Sequence, residues 1–139
     1  MNVAALPGGR KTAAQLYETA QKAETTLVIS DRTSWEAFWK RAVDDFASGE
    51  DPAPVVDFEK DVVLIAAAGF AGWDREIAIR VDGHRRDSLI AIAHVRSGVP
   101  ALCGPDSFRA PIAAVLMKRD ARPIAFRWER EELACGRPK

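Results

Sequence analysis

Cysteine is scarce in this chain of 139 residues, which holds only Cys103 and Cys135. They form no Cys-x-x-Cys pair, so neither a zinc ribbon nor a thioredoxin-type redox motif has support. Histidine is as scarce. His84 and His94 stand in no His-x-His or His-x-x-x-His spacing, and a zinc site lacks the ligand pattern it needs. An excess of one charge is missing too: 20 Lys and Arg face 20 Asp and Glu. That balance excludes a strongly basic nucleic-acid binder and an acidic disordered tail as the reading of the whole chain. No apolar run approaches the ~20 residues of a membrane span. The start, Met1 to Pro7, carries neither a basic segment nor an apolar one, so it does not read as a signal peptide. Either the protein is cytosolic or a leader is removed ahead of it. No internal repeat and no low-complexity tract interrupts the chain.

What is present is globular. Apolar residues make up 47% and charged residues 29%, enough to build a core without a metal or a disulfide. The length suits one domain. Its body is expected over residues 26–130, with an N-terminal arm at 1–25 and a polar tail at 131–139. Residues 1–11 are small and polar and predict a mobile start. Residues 12–23 are rich in helix formers but offer only a thin apolar face.

Thr26 to Ser30 reads as a short strand. The clearest element follows: Trp35, Phe38, Trp39, Ala42, Val43 and Phe46 recur at helical spacing and predict one amphipathic helix over about 33–47. Thr33 as N-cap with Glu36 three residues on would form a capping box. Past the proline-bearing linker at 50–54 the side-chain period changes from 3.6 to 2. Val62 to Ala68 is a continuous apolar run, as expected of a strand buried on both faces.

In 75–82, Ile77, Ile79 and Val81 alternate with Glu76, Ala78, Arg80 and Asp82, the pattern of a half-buried strand. Asp82-Gly83 opens a loop to its hairpin partner at 88–96. There Leu89, Ala91, Ala93 and Val95 face one way, and Ile90, Ile92, His94 and Arg96 the other. After an irregular stretch from Ser97 to Arg109, residues 111–118 and 124–128 read as two closing strands. The fold class is α+β, mainly β: one helix packed on a curved antiparallel sheet or half-barrel of about five strands.

This order of elements resembles the C-terminal domain of the bacterial protease-complex subunit family PrcB. The matching pieces are Leu27-Val28-Ile29, Trp35 to Trp39, Val56-Asp57-Phe58, Val62 to Ala68 and Gly69 to Trp73. Ile77-Ala78-Ile79, Pro100 to Cys103 and Val115 to Lys118 follow, and the match spans roughly residues 26–128. The chain departs from the family at its turn, where Gly72-Trp73-Asp74-Arg75 stands in place of a Gly-Gly-Tyr run. Related chains are extended ahead of the first strand, which opposes a helix at 12–23. The resemblance implies an accessory module of the bacterial envelope, periplasmic or secreted, with no catalytic residues established. In such an oxidising compartment Cys103 and Cys135 could pair as a disulfide. The alternative is a small buried Cys103 and an unpaired Cys135.

The candidate chemistry is thin. Cys103 with His84 or His94 could suggest a thiol and a base, yet no nucleophile elbow surrounds the cysteine. His84 reads as solvated, and His94 as a partly buried, hydrogen-bonded strand residue. Gly69-x-x-Gly72 lacks the third glycine and the Lys-Ser/Thr of a phosphate loop. Phe70 and Trp73 either cover the edge of the core or stand exposed as a recognition patch, with Arg75 and Arg109 as its polar half. No cofactor or metal is implied. The expected function is a non-enzymatic module that binds a protein or peptide partner, such as a protease. The alternative is a small-ligand domain with a cavity between helix and sheet, lined by Trp35, Trp73 or Trp128.

Overall fold

Six consecutive residues, Val62 to Ala67, are buried, and no single layer can hide both faces of one strand. The computed structural model of the chain describes residues 3–5, 24–43, 53–67, 76–97 and 112–132, and in it two layers do so. The elements are β1 (Val3–Ala5), β2 (Thr25–Ile29), α1 (Arg32–Val43), β3 (Asp61–Ala67), β4 (Glu76–Asp82), β5 (Leu89–Ser97), β6 (Ile112–Lys118) and β7 (Ile124–Glu132). The fold class is α+β and mainly β. The strands form two sheets, ordered β1-β6-β3-β2 and β4-β5-β7. Where a curved sheet or half-barrel of about five strands was expected, the strands divide between two sheets, and β3 is covered by the helix on one face and by the second sheet on the other.

On one face of β3, Val63, Ile65 and Ala67 pack with Ile29, Val56 and the helix residues Trp35, Phe38 and Trp39. On the other, Val62, Leu64 and Ala66 meet Ile79, Val81, Leu89, Ala91 and Ala93 of the second sheet. The period-2 alternation read from the sequence thus sorts β4 and β5 correctly, with the small alanines letting the sheets approach.

The first sheet is antiparallel throughout, with β3 pairing β2 and β6. In the second sheet β4 and β5 form the expected hairpin, whereas β5 and β7 run parallel. The chain leaves β5, returns through β6 in the other sheet, and re-enters beside β5 in the same direction. Val3–Ala5, expected to be mobile, pairs with Val115 to Met117 at the edge of the first sheet.

The helix begins at Arg32 rather than 33, and its cap is Asp31 rather than Thr33. The Asp31 carboxylate accepts the Ser34 N–H at 2.7 Å and the Ser34 hydroxyl at 2.9 Å. Asp31 C=O accepts the Trp35 N–H at 3.1 Å, the first turn of the helix. A carboxylate suits the positive end of a helix better than a threonine hydroxyl does. These hydrogen bonds from Ser34 hold the Asp31 carboxyl below its ordinary range. The helix is described to Val43, and residues 44–47 lie outside the described residues, as does all of 12–23.

Two arginines tie the layers. The Arg119 guanidinium donates to the carbonyls of Phe58 and Ser30, and the Arg119 backbone N–H donates to Lys60 C=O at 2.8 Å. Arg122 donates to Gly83 C=O at 2.8 Å and Arg85 C=O at 2.6 Å, clamping the β4–β5 loop to the β6–β7 turn.

Candidate functional site

The residues of β4, β5 and β7 that do not face the core share the outer face of the second sheet. Register sets them in rows. Glu76 lies opposite Arg96 and Arg96 opposite Glu131; Ala78 lies opposite His94 and His94 opposite Glu129. A third row is Arg80, Ile92 and Arg127. Ile92 faces outwards yet is only 3% exposed. It stands between two arginines whose aliphatic stems are long enough to cover it.

The rows are cross-linked by charge. Arg96 Nη1 meets Glu76 Oε1 at 3.0 Å and Arg96 Nε meets Glu131 Oε1 at 3.3 Å. Arg80 Nη2 donates to Glu129 Oε1 at 2.7 Å, and Arg127 Nη2 reaches Glu129 Oε2 at 3.5 Å. His94 stands between two carboxylates, Nδ1 at 3.4 Å from Glu129 and Nε2 at 3.9 Å from Glu131. The Arg80 hydrogen bond above all, helped by His94 and opposed by partial desolvation, holds the Glu129 carboxyl below its ordinary range.

A histidine oriented by a carboxylate is half of a nucleophilic catalytic set. Among the described residues the other half is not in register with it. The residues around His94 in register are Ala78, Ile92, Arg96, Glu129 and Glu131, and none carries a hydroxyl or a thiol. Among the described residues no group of three or more His, Cys, Asp or Glu side chains is placed to hold a metal. Nor is any helix among them long and apolar enough to cross a membrane. What the arrangement offers is a patterned electrostatic surface.

The residues singled out from the sequence fare unevenly. Phe70, Trp73, Arg75 and Arg109 lie outside the described residues, as do Cys103 and Cys135. His84 is exposed, its backbone N–H bound to Asp82 Oδ1 at 2.9 Å, and His94 is a half-buried strand residue with partners. Trp35 is 2% exposed, its Nε1–H donating to Pro54 C=O at 2.9 Å. Trp128 packs on the opposite side of the first sheet from Trp35, so these two cannot line one cavity. Instead Trp128 lies under the Arg130 guanidinium, 5.4 Å from the ring centroid, and Arg130 pairs with Glu24.

Glu76, Arg80, Arg127, Glu129 and Glu131 were not visible as a group in the sequence. Their shared parity was readable, but the neighbour relation of β5 and β7 was not. Compared with protein-family models, curated proteins and solved structures, the chain matches none.

Proposed function

We propose that this chain is a non-enzymatic interaction module that binds a protein or peptide partner through the outer face of the β4-β5-β7 sheet. The observation that carries the reading is the ordered charge pattern there: three rows of registered side chains, both signs interspersed, with His94 at the centre. Complementary charge patterns give an interface specificity and steer a charged partner to it. The resemblance to the PrcB C-terminal domain supports the same reading and extends it to a partner such as a protease in the bacterial envelope.

The test is a salt-dependent binding assay against source-cell envelope proteins, run beside an Arg80→Glu/Arg96→Glu variant. A partner retained by the wild-type chain at low salt and lost with both charge reversals supports the proposal. A partner retained equally by the variant, or none retained by either, overturns it.

A further inference from the structure

β7 ends its sheet, and no strand among the described residues meets its outer side. It is nine residues long. An exposed edge of that length is a template for another strand. The Leu89 N–H donates to Pro123 C=O at 2.9 Å, which fixes the parity of the parallel ladder. The odd-numbered residues of β7 turn their backbone groups towards β5. Ile124, Phe126, Trp128, Arg130 and Glu132 turn theirs to the open edge.

β7 carries charges of both signs, Arg127 and Arg130 against Glu129, Glu131 and Glu132, so they select among possible occupants. A second copy related by a two-fold axis perpendicular to the sheet keeps core faces on one side. It therefore pairs only residues of equal parity. Centred on Trp128, the antiparallel register uses all nine residues. It sets Arg127 opposite Glu129 of the other copy, twice, and Phe126 opposite Arg130, twice. Centred on Arg127 or on Glu129, it sets that charge against itself. Centred on Arg130, it also sets Glu129 against Glu131. Centred on Phe126, it shortens the pairing and leaves Arg127 facing Ala125.

The groups the favoured register needs are accessible. The Arg127 side chain is 60% exposed, and among the described residues Glu129 Oε2 has only the long 3.5 Å contact to Arg127 of its own strand, while Oε1 is held by Arg80. The open-edge backbone groups fall at the directly opposed pairs Trp128–Trp128, Phe126–Arg130 and Ile124–Glu132, where an antiparallel ladder hydrogen-bonds.

We propose that two copies of this chain associate through β7, in antiparallel register centred on Trp128, to form a continuous six-stranded sheet. The proposed partner-binding faces then join into one surface. Association is read on the purified chain alone, so its failure is separate from failure to find an outside partner.

The test is sedimentation velocity over a concentration series, with amide exchange measured at both ends of it. The wild-type chain is expected to dimerise with rising concentration. Protection should rise with concentration at the amides of Phe126, Trp128 and Arg130, and stay constant at Arg127 and Glu129. Arg127→Glu sets Glu against Glu, and Glu129→Arg sets Arg against Arg. Each alone should weaken dimerisation about tenfold or more. An equimolar mixture should recover it, because in the mixed pair both contacts are attractive again. A wild-type chain that stays monomeric overturns the proposal. So does a dimer indifferent to Arg127→Glu, or one whose even-numbered amides gain no protection. The exchange measurement needs no variant, so a poorly folded Glu129→Arg chain leaves it intact.

Discussion

Trp35 is where the helix layer can be tested. It is 2% exposed and belongs to the cluster joining α1 to β3. Its ring lies 5.9 Å from Phe38 and 5.7 Å from Trp39, centroid to centroid. Its Nε1–H satisfies Pro54 C=O, so the side chain pins the helix to the segment leading into β3 as well as to the sheet.

Trp35→Ala removes the ring, leaves a cavity and strands that carbonyl, at a cost of about 3–5 kcal/mol. Domains of this size have about 5–15 kcal/mol in total. The variant should therefore lose a large share of its stability, and its melting temperature should fall by roughly 10–20 °C. Trp35→Phe keeps most of the apolar surface and loses only the N–H. It should lie between the two, at about 1–3 kcal/mol. Urea unfolding followed by far-UV circular dichroism measures both. If Trp35→Ala lies within about 1 kcal/mol of wild type at an unchanged m-value, the helix is not docked by this ring and the layered core is wrong.

Two further predictions concern the charged groups. Asp31→Ala should lower the melting temperature, and Asp31→Ser should restore part of the loss, because either Asp or Ser can accept the N–H of Ser34 at the helix start; equal melting of all three would contradict the cap. Asp31, Asp120 and Glu129 all have carboxyls held below their ordinary range, Asp120 through its hydrogen bonds from Arg122. A depressed folded-state value means stabilisation that is present at neutral pH and lost as pH falls below about 4. Asp120→Asn should therefore flatten the decline in stability between about pH 5 and pH 2. An unchanged decline in the variant would refute that origin.

The sequence by itself determined the local elements. Trp35, Phe38 and Trp39 announced the helix by their spacing. The run from Val62 announced a strand hidden on both sides, and parity assigned the inward-facing residues of β4 and β5, though not Ile92, which is buried on the outer face. Each of these follows from the period of a helix or a strand, a property of neighbouring residues. The helix start was misplaced by the same locality. Thr33 and Glu36 have the form of a capping box, yet Asp31, two residues earlier, offers a charged acceptor with two oxygens to Ser34.

Only the tertiary structure decided which strands are neighbours. The division into two sheets depends on pairings between segments far apart in the chain, and a period of 2 carries no label for its partner. Val3–Ala5 is a strand because the edge of β6 accepts it, not because three small residues prefer extension. The parallel pairing of β5 and β7 arises because β6 returns through the other layer. That pairing alone brings Glu129 and Glu131 beside His94 and Arg96, some 35 residues away in sequence. The charged face could not be read in advance because its rows run across the strands, while the sequence runs along them.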